Sequence, residues 1–151
     1  MKLNLGCGPV PHDGWVNVDI TPHPGVVVHD LNDAPWPWPD GSAECIAAKD
    51  IFEHVDDPVT FMTECHRVLR PGGQLGIETT WWMSETAYTD PTHKRFCTEH
   101  TFDYWIPGRK FGTVELYGMN AFYGGVAFEL VQMTTPPESG TELCLVLRKP
   151  A

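Results

Sequence analysis

Two glycines flank a cysteine in Leu3-Asn4-Leu5-Gly6-Cys7-Gly8, at the end of a short apolar run. Without Cβ atoms the backbone can turn sharply there and bring bare N–H groups against a ligand. Glycine pairs after strands are often plain turns, so the motif gains meaning only from its neighbours. Asp19 ends the next apolar run and could accept both hydroxyls of a ribose, and Asp30 ends the third and suits the exocyclic amine of a base. A dinucleotide fits poorly, because the third glycine of GxGxxG is Pro11 and the acid follows Gly6 by 13 residues, where about 20 is usual. Phosphates would also face two carboxylates. A nucleoside without phosphates fits better. Asp50, Glu53 and His54 stand at i, i+3 and i+4, so a helical turn gathers them on one face. His93, Cys97 and His100 fall at i, i+4 and i+7, but three ligands leave a zinc site incomplete.

These residues need strand ends to bring them together. Residues 3–5, 15–20, 26–30 and 44–49 read as strands, the second and third closed by aspartates. Asp56 or Asp57 can cap a helix with Pro58 in its first turn, whose apolar stripe is Phe61, Met62, Cys65, Val68 and Leu69, and Pro71-Gly72-Gly73 stops it. A fifth strand follows over 74–80. Residues 81–125 are irregular, rich in aromatics and glycine, with at most a short helix begun at Thr98. Residues 128–134 and 142–148 flank a Pro136-Pro137-Glu138-Ser139-Gly140 turn and read as an antiparallel pair.

The pattern predicts one α/β domain over 1–151, a Rossmann-like three-layer sandwich with a mostly parallel sheet and a terminal antiparallel strand pair. Residues 1–80 form its ligand-binding half, 81–125 a substrate-facing segment and 126–151 the terminal pair. Parallel neighbours usually need a crossover of about a dozen residues, and the first two connections are shorter. The first crossover is therefore reduced to about two turns of helix or less, or the third strand is a stub at the sheet margin.

Ten basic against twenty acidic residues leave a net charge of −10, which disfavours nucleic acid and anionic membranes as partners. No apolar stretch approaches the roughly 20 residues that span a bilayer, and Met1-Lys2-Leu3-Asn4 runs into Gly6 without the core of a signal peptide. The five cysteines are scattered and never in CxxC spacing, as in reduced proteins. The expected location is the cytoplasm. Lys94, Arg95, Arg109 and Lys110 could dock an anionic group or be plain solvated charges. Trp36, Trp38, Trp81, Trp82, Tyr104 and Trp105 could stack a planar substrate or pack the core.

Taken in order, Leu3-Asn4-Leu5-Gly6-Cys7-Gly8, Gly14-Trp15-Val16-Asn17-Val18-Asp19, Asp30-Leu31, Trp38-Pro39-Asp40-Gly41-Ser42, Phe52-Glu53-His54-Val55 and Arg67-Val68-Leu69-Arg70-Pro71-Gly72-Gly73 make a pattern that no one block carries alone. Over residues 3 to about 80 the chain resembles the class I S-adenosylmethionine-dependent methyltransferases. The resemblance implies that Leu5, Gly6, Cys7 and Gly8 face the methionine end of the cofactor, Asp19 and Ile20 the ribose, and Asp30 and Leu31 the adenine. Lys49 and Asp50 would line the sulfonium pocket. Asn4 stands where the family often has an acid, and Pro9 replaces the third glycine of its loop. The lid helices that precede the first strand in many relatives are also missing, which implies an open site completed by residues 81–125 or by a second copy of the chain.

Some members of the family hold a divalent cation with acid and histidine ligands. The resemblance offers Asp50, Glu53, His54 and His93 for Mg²⁺ or Mn²⁺. The alternative, preferred here, is that Glu53 and His54 fix the strand-to-helix turn through hydrogen bonds, and no metal is assigned. His54 or His93 is the expected catalytic base, since imidazole titrates near neutrality. The expected activity is methyl transfer to an oxygen or nitrogen of a small molecule; the other reading is a cofactor-binding accessory or degenerate subunit that needs a partner.

Overall fold

The computed structural model describes residues 1–135 and 141–151. Its sheet runs β1 (Lys2–Leu5), β2 (Val16–Asp19), β3 (Val26–Val28), β4 (Ala43–Lys49), β5 (Leu69–Thr80), β8 (Glu129–Thr134) and β9 (Glu142–Arg148), in the order β3-β2-β1-β4-β5-β9-β8. The pairings from β3 through β5 are parallel, and β9 is antiparallel to both β5 and β8. This is the expected Rossmann-like sheet with its terminal antiparallel pair. The 136–140 turn lies outside the described residues. Strand order reverses between β1 and β4, and open sheets of this kind bind ligands beyond the C-terminal strand ends at such a point.

The shortening of the first crossovers goes further than expected, because residues 6–15 and 20–25 contain no helix at all. Short strands make this feasible: four residues rise only about 13 Å, a return that ten extended residues cover easily. Side chains do the work of the absent helix. Asn17 Oδ1 accepts from His12 N and from Asn4 Nδ2, and Asn17 Nδ2 donates to the His12 and Trp15 carbonyls. Asn4 and Asn17 are register partners in β1 and β2, so the buried Asn4 has an amide to pair with. The third strand is indeed a stub, with Val27 and Val28 exposed on the sheet edge.

Helix α1 (Pro58–Val68) begins as expected: Asp57 accepts from Val59 N and Pro58 occupies the first turn. Phe61, Met62, Cys65 and Val68 are buried against the sheet core of Leu3, Leu5 and Ile46. The helix stops earlier than Pro71-Gly72-Gly73, because Leu69 is already extended and begins β5. Pro71 disfavours a helical residue before it, and residues 70–73 form an irregularity where Ala43 pairs with Leu69 but Cys45 pairs with Gln74. Thr98 begins a turn instead of a helix, accepting from His100 N. Residues 81–125 carry the four-residue helix α2 (Thr86–Thr89), 3-10 turns at Asp103–Trp105 and Leu116–Tyr123, and a small hairpin of β6 (Lys110–Phe111) and β7 (Val114–Glu115).

Trp36, Trp38 and Trp105 are buried, and Trp36 meets Trp38 and Phe61 edge-on. They pack the core. Trp81 and Tyr104 are only partly buried against the core, and Trp82 is exposed.

Candidate functional site

Two cavities open beyond the C-terminal ends of the parallel strands. The first, about 210 Å³, is lined by Gly6, Asp19, Ile20, Asp30, Leu31 and Ile51, with His29, Asn32, His54 and Val55 around them. Gly6 has a left-handed φ of 66°, and a Cβ there would lie 2.0 Å from the Ile51 side chain. Glycine is thus demanded both by the turn and by the wall of the cavity. Gly8 is also left-handed, and its N–H donates to Asp19 Oδ2 at 2.8 Å, while Thr21 N donates to Oδ1. Asp19 therefore clamps the glycine loop onto the end of β2. An ionised carboxylate has about four lone-pair sites, so two backbone bonds leave capacity for ribose hydroxyls.

Of the residues assigned to the cofactor from sequence, Gly6, Asp19, Ile20, Asp30 and Leu31 line this first cavity. Leu5, Cys7, Gly8 and Lys49 do not. Leu5 is fully buried in the core, Gly8 is held by Asp19, and Lys49 forms an ion pair with Glu78. The Cys7 thiol is pushed up, first by burial and then by the negative charge of Asp19, and a protonated thiol makes a poor nucleophile. Asp50 turns to the second cavity. Its φ of 52° is left-handed for a non-glycine residue, a strain typical of functional turns.

Sequence reasoning missed His29, Asn32, Ile51 and Val55. Ile51 and Val55 stand four apart across the Glu53-His54 pair, a spacing that could have marked them as one wall. His29 Nε2 is buried without a partner among the described residues, and His29 is one of the residues around this cavity. Beside His29, Asn32 and His54 the described wall has the apolar Ile20, Leu31, Ile51 and Val55 and two carboxylates, without lysine or arginine. That donor set suits a phosphate-free nucleoside with a thioether or sulfonium tail.

The second cavity, about 630 Å³, takes its walls from Asp50, Glu53, His54, Thr80, His93 and Glu142, together with Thr86, Thr89 and Asp90. His54 borders both cavities. Its ring centroid lies 4.7 Å from that of His93. Thr92 Oγ1 donates to Asp90 Oδ1 at 2.6 Å and has no second proton, so the 3.0 Å contact to His54 requires Nδ1–H to donate to Thr92. His93 Nδ1 likewise donates to the Ala87 carbonyl at 3.0 Å. Whenever either ring is neutral, its bare lone pair is therefore on Nε2. The Thr92 bond holds the Asp90 carboxyl below its ordinary value, which keeps it ionised as the anchor of this relay.

Glu53, His54 and His93 bring one ligand atom each within 4.8 Å of one another, and Asp50 is not in that group. The fit to a divalent ion is poor. Glu53 is fully buried, and its two oxygens already accept from Thr79 Oγ1 at 2.8 Å and Thr80 N at 3.3 Å. It behaves as the brace between the Phe52-Glu53-His54 turn and the end of β5. The zinc spacing also comes apart: Cys97 is buried against Thr79 and His100 faces Asp103. Three of the four clustered cations are occupied, Lys94 with Asp56, Arg95 with the Phe52 and Val55 carbonyls, and Arg109 with Asp103.

Residues 14–77 match the family model of a methyltransferase domain. Over those residues the chain is similar to a methyltransferase domain, and its fold is that of S-adenosylmethionine-dependent methyltransferases. A protein of Mycolicibacterium smegmatis named as a probable S-adenosylmethionine-dependent methyltransferase is 39% identical over 57 residues, covering 38% of this chain and 22% of that one. An uncharacterised 37.1 kDa protein in transposon TN4556 of Streptomyces fradiae is 40% identical over 68 residues, covering 44% of this chain and 20% of that one. The chain thus spans about a fifth of the length of the curated relatives it matches. Its fold is similar to that of the 1,6-didemethyltoxoflavin-N1-methyltransferase of Burkholderia thailandensis, solved with its substrate and S-adenosylhomocysteine, at 16% identity and a TM-score of 0.63 over 99% of this chain and 71% of that one. A methyltransferase in complex with the Haloferax volcanii Trm112 activator shares the fold at 13% identity and a TM-score of 0.64, over 99% and 82% of the two chains.

Proposed function

We propose that the domain binds S-adenosylmethionine in the first cavity and directs methyl transfer to an oxygen or nitrogen of a small molecule in the second. The observation that carries this is the position of His54, whose side chain borders both cavities. When bound, the cofactor supplies a methyl group already activated on a sulfonium. Asp19 and Asp30 take the ribose and the base, and Ile20, Leu31, Ile51 and Val55 give the base an apolar slot. The Nε2 lone pairs of His54 and His93 take the proton of the acceptor, a contribution typically worth 10²–10⁴-fold in rate. No step needs a metal ion, so turnover persists in excess chelator.

A second reading, that the domain works only with a partner, is favoured by the structural likeness to a methyltransferase held by an activator. Exposed Trp82, Met83 and Tyr88 lie on the segment that also supplies the second cavity, and an activator or a second copy would close the site there. Sedimentation of the 16.9 kDa chain distinguishes monomer from dimer. Five free cysteines suit a reducing compartment such as the cytoplasm. Among the described residues no helix is long and apolar enough to cross a membrane.

Isothermal titration with S-adenosylmethionine, S-adenosylhomocysteine and NAD, with and without Mg²⁺, tests the central reading. Saturable binding of both sulfur nucleosides but not NAD is the expected result; no binding, alone or with a candidate activator, overturns it. His54→Asn and His93→Asn then separate the roles, since loss of turnover with cofactor affinity retained identifies the base.

A further inference from the structure

The second cavity carries four carboxylates, Asp50, Glu53, Asp90 and Glu142, and no lysine or arginine. Two of the four are already engaged: Glu53 with Thr79 and Thr80, and Asp90 with Thr92. Asp50 has no such side-chain bond among the described residues, and Glu142 accepts only from Thr141 Oγ1, through Oε1 at 3.1 Å. The nearest cation on this wall, Lys49, is committed to Glu78. Its charge lowers the Asp50 and Glu142 carboxyls but is shared with Glu78, so negative charge on this wall exceeds what the described residues balance.

A second, independent feature points to a ligand. Thr80 is only 6% exposed, and its Oγ1 has no hydrogen-bond partner among the described residues. Glu142 Oε2 is likewise buried without a partner among them. Thr80 and Glu142 face each other as register partners of β5 and β9, so both orphans belong to one patch of the cavity wall. Leaving a buried acceptor unsatisfied costs about 1–3 kcal/mol, and the fold leaves two side by side. The crowding has an electrostatic sign: Glu142 is pushed above its ordinary value by burial first and then by the negative charge of Asp50. Asp50 is raised by desolvation and by Glu53.

A ligand group that relieves all of this must be positive and rich in donors. A carboxylate or phosphate would be repelled, and a neutral hydroxyl would offer one proton to two or three acceptors. An alkylammonium brings one charge and up to three N–H donors. A cavity of about 630 Å³ also holds an organic body, far more than one ion. We propose that this cavity recognises the ammonium group of an organic amine through Glu142, Asp50 and Thr80, and that an amine is the methyl acceptor. The proposal rests on the reading of the first cavity as the cofactor site. Before transfer the ammonium gives one proton to an Nε2 lone pair of His93 or His54. The freed nitrogen pair then forms the N–C bond while the C–S bond breaks and its electrons stay on sulfur.

The test uses calorimetric titration of the whole chain, saturated with S-adenosylhomocysteine and in EDTA, so that no divalent ion mediates binding. The probes are butylamine, phenethylamine, histamine and spermidine, set against 1-butanol, 2-phenylethanol and 3-phenylpropanoate. At least one amine is expected to bind tenfold or more tightly than the alcohols and the carboxylate, with that preference lost in Glu142→Gln and reduced in Thr80→Val. S-adenosylhomocysteine affinity, read on the same samples, is unchanged in both variants if they are folded. Failure of every amine to bind, an equal preference for the alcohols or the carboxylate, or an amine affinity indifferent to Glu142→Gln overturns the proposal. If S-adenosylhomocysteine itself does not bind, the cofactor reading fails instead, and the amine titration without it still decides this inference.

Discussion

Asp19 does two things with one carboxylate. It accepts the Gly8 and Thr21 backbone N–H groups, and it presents its remaining lone pairs to the first cavity. Charge-assisted hydrogen bonds contribute about 1.5–3 kcal/mol each, so Asp19→Ala should weaken S-adenosylhomocysteine binding roughly tenfold to a hundredfold. Calorimetry measures this, and an unchanged affinity would put the ribose elsewhere. Gly6 makes the complementary case. Its left-handed backbone costs any other L-residue about 1–2 kcal/mol, and the added methyl would strike Ile51. Gly6→Ala should lower the urea midpoint and also narrow the cavity; a variant as stable as the parent would show that the loop relaxes freely.

At the scale of elements, α1 ties the sheet to the tryptophan loop. Glu64, buried on its inner face, accepts from Trp36 N at 2.6 Å and from Arg67 Nε at 2.8 Å. Arg67 also donates to the Trp36 and Trp38 carbonyls and to Asp40. Arg67 is only partly buried, so removing it takes charge-assisted hydrogen bonds from Glu64 at a cost of about 1.5–3 kcal/mol. Arg67→Ala should lose that much in urea unfolding, and the Glu64→Leu/Arg67→Met double variant should recover most of it. The Asp57 cap adds a pH signature. Its carboxyl is held below the ordinary value, first by Thr60 Oγ1 and also by the Val59 and Thr60 N–H groups. A depressed folded value means the stabilisation is full above the unfolded value near 3.9, on the order of 1 kcal/mol for a cap, and fades as pH falls through the folded value. The stability gap between parent and Asp57→Ala should therefore close below about pH 4.

For the whole molecule, ligand binding and stability are linked. A ligand at a hundred times its Kd stabilises the folded state by about 2.7 kcal/mol, and a domain of this size gains about 2–4 °C in Tm for each kcal/mol. S-adenosylhomocysteine at that concentration should raise Tm by roughly 5–10 °C, whereas NAD should not; equal shifts for both would contradict the shape and charge of the first cavity. The acceptor side depends on the whole chain in another sense. Its walls come from the turn after β4, from the end of β5, from residues 86–93 and from the start of β9. The site is an assembly of distant segments, and truncation before β9 should abolish amine binding.

The lining of the first cavity was legible in part because its signals are local. Gly6 followed by Asp19 and Asp30, each at a strand end, can be read from the alternation of apolar and turn residues, and the parallel sheet then brings strand ends to one rim. The Asp57-Pro58 helix start and its apolar stripe are legible for the same reason: capping and the 3.6-residue period act within a few residues. Side-chain commitments were not legible. That Glu53 braces Thr79 and Thr80 and that Lys49 spends its charge on Glu78 depend on β4–β5 register. The replacement of the first helix by the Asn17 hydrogen bonds depends on the pairing of β1 with β2. Only the tertiary structure placed Thr80 opposite Glu142, because antiparallel pairing joins residues 62 positions apart, and no local pattern encodes so distant a neighbour. Sequence determined which residues are able to do chemistry at the strand ends; the packing of distant strands decided which of them are free to do it.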